Sequence, residues 1–347
     1  LYIDASHPNE TRIVLKSGDN IEDYEYEGLK NNLIKSNIYL GKVSRVEPSL
    51  QAAFIDFGRD RHGFLSFNDI QSDYYQIPQT DLDNIKEEEE KDREELLKES
   101  EREEEKDINE GNLDINDPVE INPESEIELN TSEEFKEVDE LAVSESTTEE
   151  TSSLRIKKPF PRIRPKRYKI QEVIKPNQVI LIQVLKDERG QKGAALSTFI
   201  SIAGKYIVLM PNTSKGGGIS RKIFNPSERK KIRTILNDID IPKEMGLIVR
   251  TAGSNKTKND IDHDLQTLIK TWNEIKETAL NSIAPSLIHQ ESDIIKRTLR
   301  DMYDDDTSSI VIEGNESYKK AQGFMKLMMP SHVKKIKKYR EKVPLFF

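Results

Sequence analysis

Short runs of β-forming residues, separated by glycine and polar turns, dominate the stretch 37–65 of this chain. The first run, 38–46, places an aliphatic residue at every second or third position and is interrupted by Gly41. Alternation of apolar and polar residues between turn formers is typical of half-buried strands. The pattern therefore predicts a small β-structure with strands around 38–46, 52–57 and 62–65.

A second β-pattern opens the chain. Residues 11–15 and 21–26 alternate on either side of a Ser-Gly-Asp-Asn turn at 17–20, which predicts a hairpin after a first strand at 1–4. A two-stranded hairpin is only marginally stable alone. We expect the aliphatic run at 309–313 to be the strand that it pairs with.

The strand pattern resumes after residue 170 and then gives way to helices. Residues 179–184 and 192–197 are expected to close the barrel begun at 38–65, across a long insertion that adds little loop-closure entropy. Across 199–294, the order strand, loop, helix, strand, helix predicts an α/β layer. Apolar stripes and strand patterns place the predicted helices at about 228–237, 258–280, 293–302, 316–328 and 331–339, and strands at 206–210 and 246–251.

Charge is strongly segregated along the chain. Residues 81–150 hold 30 acidic and 7 basic residues, so this segment carries about −23 and the rest about +13, against a total of −10. Few apolar residues and high charge cannot offset the entropy of ordering, which predicts disorder over 78–153. The segment is either a solvated loop insertion or an acidic arm that binds a protein partner or mimics RNA. Residues 155–169, with eight Lys or Arg and no acid, either face RNA or neutralise the acidic run.

Composition excludes some classes of site. The chain has no cysteine, which excludes disulfides and thiolate metal sites within it and indicates a reducing compartment. It also has no run of 18 apolar residues, and its first 20 residues lack a signal-peptide pattern, so we expect a soluble protein inside the cell.

Two groups of residues are candidates for binding chemistry. Aromatic rings on the predicted strands, surrounded by Lys and Arg, suit a single strand of nucleic acid, although Phe on a short strand is often simply core. The glycine run 216–218 and the polar end of the strand 246–251 could converge on a phosphate, although a glycine run is often only a flexible loop. Arg221, Lys222, Arg250 and Thr251 would supply its charges and hydroxyl.

The amino-acid motifs in these segments resemble those of a known family. GKVxxVxPSLxAAFIDFGxxxxGFL from Gly41 resembles an S1 domain, an OB-type five-stranded barrel, and LMPN…GGISR…GLIVRTAG from Leu209 resembles a 5′-sensor domain. Both are similar to the ribonuclease E/G family. On that resemblance, Phe54, Phe57, Phe64 and Lys192 bind RNA, with Phe57 standing where the family often has Tyr.

The resemblance also assigns the phosphate site. Arg250 and Thr251 would bind the terminal 5′-monophosphate of RNA, with Gly204, Val208, Arg221 and Lys222 lining the pocket. The family has a second Arg where Lys222 stands, and Lys keeps the charge without the guanidinium fork.

The implied fold is α+β and multidomain. An RNase H-like α/β sheet formed by both chain ends would carry an inserted S1 barrel and an α/β 5′-sensor domain. The expected boundaries are 1–35 and 295–347 for the RNase H-like part, 36–77 and 170–198 for the barrel, 78–169 for the insertion and 199–294 for the sensor.

The family implies a magnesium-dependent endoribonuclease of RNA processing and mRNA decay. Its aspartate motifs, of the type SIDINS and IVIDFID, and its cysteine zinc link are not found in this sequence. We therefore expect no catalytic residue and no Mg²⁺ or Zn²⁺ ligand here, and a chain that binds RNA but does not cleave it. The expected partner is 5′-monophosphorylated single-stranded RNA, not DNA, with a homo-oligomer possible for a longer protein.

Three alternatives stay open on the sequence. The chain could be part of a split or shortened nuclease, a regulatory RNA-binding module, or a scaffold that uses its acidic arm. The expected location is the cytoplasm, with peripheral membrane association possible for a longer protein. The sequence does not separate E-type from G-type family members.

Overall fold

The computed structural model describes most of the chain outside the acidic and basic insertion. The described residues are 1–7, 10–28, 33–87, 168–189, 192–213, 218–239, 241–242, 245–291 and 293–346. The predictions of disorder over 88–153, of an RNA-facing segment at 155–167 and of a phosphate contact at 216–217 therefore lie outside the described residues.

The described residues form a mixed α+β structure with three sheets. The strands are β1 Tyr2–Asp4, β2 Glu10–Ser17, β3 Asn20–Gly28, β4 Ile38–Glu47, β5 Ala52–Asp56, β6 Gly63–Ser66, β7 Val179–Lys186, β8 Ala195–Ser197, β9 Ile202–Ala203, β10 Ile207–Met210, β11 Gly218–Ile219, β12 Gly246–Val249, β13 Ser286–His289, β14 Ile310–Glu313 and β15 Ile336–Lys338. The helices are α1 over 79–87, α2 Ile170–Val173, α3 Pro226–Asn237, α4 Lys258–Asn281, α5 Ile294–Asp301 and α6 Asn315–Met328.

One sheet is built from both ends of the described chain. Its strand order is β15-β14-β1-β2-β3, with β1 parallel to β14 and antiparallel to β2. The strand at 309–313 therefore enters the sheet of the N-terminal hairpin, but it pairs with β1 and not, as predicted, with the hairpin itself. Helices α5 and α6 supply Leu299 and Met325 to the core under this sheet, beside Ile3 and Ile312.

The predicted helix at 331–339 is wrong. Residues Pro330–Lys335 form a 3-10 turn, and β15 then pairs in parallel with β14, with Ile336 opposite Ile310. Pro330 cannot continue the helical hydrogen bonds of α6. Ile336 is buried in the end-sheet core while the two following lysines are exposed, so pairing with a distant strand decides the local structure.

The second sheet closes into a five-stranded barrel, as predicted. Its order is β4-β5-β6-β8-β7, and β4 also pairs with β7. The strands come from both sides of the insertion. At the root of the insertion the Tyr168 hydroxyl donates to Asp81 Oδ2 at 2.5 Å.

The start of the insertion departs from the predicted disorder. Residues 79–87 form α1, and Leu82 and Ile85 pack against the barrel core. Their spacing of three residues places both side chains on one helical face. This short apolar face explains why order continues past residue 78.

The strand β4 serves two cores at once. Its Tyr39 and Val43 belong to the barrel core, whereas Ile38 belongs to the core of the third sheet. The unpredicted strand β13 pairs with β4, with Leu287 opposite Tyr39. The barrel core and the core of the third sheet thus meet at β4.

The third sheet has the order β11-β12-β10-β9 and packs against α3 and α4. Asn225 caps α3, with its Oδ1 accepting from Ser227 N at 3.0 Å, and Thr257 caps α4. The buried face of α4 carries Ile261 and Leu265. Among the described residues, none of the helices is both long and apolar enough to cross a membrane.

Candidate functional site

The outer face of the barrel carries a row of one cation and two aromatic rings. Strand register places Arg45 of β4 opposite Phe54 of β5, and Phe54 opposite Phe64 of β6. Neighbouring residues such as Ile55 and Leu65 point into the barrel and are fully buried, which turns the row outward.

The members of this row touch one another. The two Phe rings meet edge to face, with centroids 6.0 Å apart and planes at 75°. The guanidinium carbon of Arg45 lies 4.4 Å from the Phe54 centroid, within the range of a cation–π contact. Phe64 is 37% exposed, so its ring offers a face to a base while a cation stands nearby for the backbone.

Lys192 is brought to the same side of the barrel by a close backbone approach. A Cβ on Gly193 would lie 2.0 Å from the His62 carbonyl oxygen, so only glycine fits this position. One residue further, the Ala194 carbonyl accepts from Phe64 N at 2.8 Å. The exposed Lys192 therefore lies beside the end of β6 that presents Phe64.

Phe57 stands apart from this surface. Its ring is buried in the barrel core and packs edge-on against Tyr39, with centroids 5.2 Å apart. The structure thus corrects its predicted place beside Phe54 and Phe64: strand alternation puts Phe57 on the same inward face as Ala53 and Ile55. Its ring is not offered to RNA.

The second candidate site lies at the carboxyl edge of β11 and β12. These two strands are parallel, and Ser220 N donates to the Val249 carbonyl at 2.9 Å. Arg221 and Lys222 therefore follow β11 at the same edge where Arg250 and Thr251 follow β12. Arg221, Lys222 and Thr251 are exposed.

Two further predicted pocket residues lie on the neighbouring strands. Val208 of β10 pairs with Ile248 of β12 and is half-buried, and Gly204 follows β9. Gly218 in β11 has open space around it, so its backbone is accessible.

Arg250 is held in place from two sides. Its Nη1 donates to the Gly204 carbonyl at 2.9 Å, and its Nη2 donates to Asp301 Oδ1 at 2.6 Å. Burial raises the pKa of the Asp301 carboxyl, but hydrogen bonds and charges from Arg300 and Arg250 outweigh burial and hold that pKa below its usual value. The guanidinium is thus oriented at the sheet edge before any ligand arrives.

A buried carboxylate fixes the loop that holds Arg250. Asp264 of α4 accepts backbone N–H groups of Tyr206 at 2.8 Å, Ile207 at 3.1 Å and Lys205 at 3.3 Å. A Cβ on Gly204 would lie 2.5 Å from its Oδ2. Burial raises the pKa of Asp264, and the three backbone donors offset part of that rise.

The role of Asp264 was not predicted, although a signal for it was present in the sequence. The residue lies on the apolar stripe of α4, directly before Leu265 and one turn from Leu268, where an unpaired acid would be costly. An acid at such a position indicates a buried hydrogen-bonding role.

The acidic turn 304–306 contacts two lysines, Lys256 and Lys335. Asp305 forms an ion pair with Lys256, and its backbone carbonyl accepts from Lys335 Nζ at 2.8 Å. Among the described residues, no group of three or more His, Asp or Glu side chains is arranged to hold a metal ion.

Comparison with known proteins identifies a family to which this chain is similar. A family model described as the ribonuclease E/G family matches residues 201–347. Ribonuclease E of Haemophilus influenzae is 32% identical over 346 residues, which cover all of this chain and 28% of that protein. Ribonuclease E of Escherichia coli K12 is 32% identical over 347 residues and 25% of its length, and a putative ribonuclease E of Buchnera aphidicola subsp. Baizongia pistaciae is 30% identical over 64% of its length.

The chain thus spans between about a quarter and just under two thirds of the length of these relatives. The matches cover the whole of this chain. The barrel strands, the third sheet and the end sheet all fall within the matched region. On these matches, the chain belongs to the ribonuclease E/G family.

Proposed function

We propose that this chain supplies the RNA-binding and 5′-end-sensing part of a ribonuclease E/G-type endoribonuclease of RNA processing and decay. The observation that carries the proposal is the parallel pairing of β11 with β12. It brings Arg221 and Lys222 to the sheet edge where Arg250 is already oriented. Three cations at one edge suit a dianionic terminal phosphate.

The arrangement suits a 5′ end that carries a phosphate better than a 5′-hydroxyl end. Arg250 uses one N–H of each Nη nitrogen on Gly204 and Asp301, so a limited set of donors remains for the ligand. The Thr251 hydroxyl stands next to it at the start of a 3-10 turn. A 5′-hydroxyl end would leave these donors without an anion, at a loss of about 1.5–3 kcal/mol for each charge-assisted contact.

The barrel row would hold the body of the strand. Phe54 and Phe64 would stack on bases while Arg45 and Lys192 contact phosphates, in the manner of a sequence-tolerant single-strand binder. A stacked base contributes about 1–3 kcal/mol. On this proposal the barrel supplies affinity, and the β11–β12 edge supplies the preference for one kind of 5′ end.

The proposal assigns no metal ligand to the described residues. Mg²⁺ needs several oxygen donors placed together, and the described residues show no such group of acidic or histidine side chains. The acidic turn 304–306 does not fit, because Asp305 is already engaged by Lys256. The chemistry proposed for these residues is therefore binding and orientation of RNA.

The test compares identical RNAs that carry a 5′-monophosphate or a 5′-hydroxyl. The parent should prefer the monophosphate about ten- to hundredfold. Arg250→Gln and Thr251→Val should lose the preference but keep binding to the hydroxyl RNA. Lys270→Gln, which removes an exposed charge about 18 Å along α4 from its start, is the matched control and should behave as the parent. Equal affinity of the parent for both RNAs would refute 5′-end sensing.

A further inference from the structure

Phe224 presents an aromatic ring to solvent beside the cations of the β11–β12 edge. Its side chain is 86% exposed, and it follows the exposed Arg221 and Lys222 by three and two residues. The ring makes no contribution to the core that would explain a large apolar side chain here. Aromatic residues next to cations are typical of surfaces that hold unpaired nucleotides.

The backbone that carries Phe224 is fixed on both sides. Before it, Ile223 is buried in the core of the third sheet, and its N–H donates to the Ser220 carbonyl at 3.1 Å. After it, Asn225 caps α3. From α3, Arg229 Nη1 donates to the carbonyls of Ser220 and Ile223 at 3.4 and 3.3 Å. The exposed ring therefore projects from a braced turn.

The braced turn also places the ring near the proposed phosphate site. Ser220 is hydrogen-bonded to the Val249 carbonyl, directly before Arg250. The two ends of a β-turn lie within about 7 Å, and one more residue adds about 3.8 Å. The Cα of Phe224 is thus within about 11 Å of the Cα of Ser220, a span that an arginine side chain and one nucleotide can bridge.

We propose that Phe224 stacks on the nucleobase of the 5′-terminal nucleotide whose phosphate is held at the β11–β12 edge. The inference rests on the proposed function and adds a second selection to it. A phenyl ring offers only its face, so it selects by ring overlap and not by hydrogen bonding to base edges. The site should therefore favour a purine over a pyrimidine at the first position.

The test uses RNA with the fluorescent base 2-aminopurine as its 5′-terminal nucleotide, with either a monophosphate or a hydroxyl end. Stacking quenches this base. The parent should quench it on binding the monophosphate RNA, whereas Phe224→Ala should lose the quenching and about five- to hundredfold in affinity for that RNA. Phe224→Trp should keep both, since it keeps an aromatic face.

Leu280→Ala is the matched control. This residue is 87% exposed but lies near the far end of α4, about 33 Å along the helix from Lys258. Circular dichroism should show all variants folded. If the parent distinguishes the two 5′ ends while Phe224→Ala keeps full quenching and affinity, the stacking inference alone is overturned. If the parent does not distinguish them, both the sensing function and this inference fail.

Discussion

Arg250 and Asp301 form an ion pair that joins the third sheet to the end sheet, with Nη2 2.6 Å from Oδ1. Asp301 is the last residue of α5, and α5 packs its Leu299 into the end-sheet core. The residue proposed to bind a 5′-phosphate is therefore already neutralised in part by a carboxylate from another region. A bound phosphate would share Arg250 with Asp301.

Replacing Asp301 by Asn should strengthen binding of 5′-monophosphorylated RNA. The amide keeps an oxygen that can accept from Arg250, but the negative charge next to the phosphate is gone. Because both partners are partly exposed, we expect a gain of only about two- to fivefold, larger at low salt. Binding titrations at two salt concentrations measure it, with Glu277→Gln on the exposed face of α4 as control. Weaker binding by the variant would contradict this prediction. It would mean that Asp301 helps binding more by orienting Arg250 than it hinders binding by its negative charge.

Asp264→Asn should destabilise the protein and abolish discrimination of 5′ ends. The carboxylate accepts three backbone N–H groups, and an amide can present only one oxygen to them. We expect a loss of about 3 kcal/mol in the free energy of unfolding. Denaturant unfolding and the two-RNA comparison measure the two effects. Asp262→Asn, two residues away on α4, should change neither, and a stable Asp264→Asn variant would contradict the clamp.

Glu291 should make stability depend on acid pH. Burial raises its pKa, but His289, Lys296 and Arg300 outweigh burial and leave the pKa of Glu291 below its usual value. A lowered carboxyl pKa gives stability that is complete above the unfolded pKa, about 4.3, and lost as pH falls through the folded pKa.

Glu291→Gln should therefore cost about 3 kcal/mol at pH 7, because the buried Arg300 and the half-buried Lys296 lose a counter-charge. The difference from the parent should shrink as the pH is lowered below about 4. Unfolding by urea at a series of pH values measures this difference. A difference in the free energy of unfolding between parent and variant that stays constant down to pH 3 would contradict the lowered pKa of Glu291.

Phe54, Phe57 and Phe64 of the barrel should separate into two classes. Phe54→Ala and Phe64→Ala should stay folded and each lose about 1–3 kcal/mol of RNA-binding free energy. Phe57→Ala should instead lose about 3–5 kcal/mol of folding stability, because its ring fills the core against Tyr39. RNA titrations and thermal unfolding of the same variants distinguish the classes. Full RNA affinity in both surface variants would remove the proposed role of the row.

Elements with a strong local pattern could be predicted from the sequence. The alternation at 11–26 gives the hairpin β2–β3, and the Asn-Pro-Ser start and apolar stripe give α3. In each case the backbone hydrogen bonds join residues that are close in sequence. The resemblance grouped Arg221 and Lys222 with Arg250 and Thr251, but the short strand β11 and its parallel pairing with β12 were not predicted, because β11 carries little pattern of its own.

Some features that depend on distant partners could not be predicted from local patterns. The strand β15 takes its hydrogen bonds from β14, 26 residues earlier, and β13 takes them from β4 at the other end of the chain. The role of Asp264 depends on backbone donors almost 60 residues away. Each is decided by tertiary contacts that residue spacing does not encode.

The strand β4, which faces two cores, has a mechanical consequence. Tyr39 cannot leave the barrel core without moving Ile38 out of the neighbouring one. The aromatic row and the β11–β12 edge should then keep a nearly constant separation, because β4 supplies side chains to both cores. An RNA bound at both places would then have a fixed number of nucleotides between its 5′-terminal nucleotide and the bases that stack on the barrel.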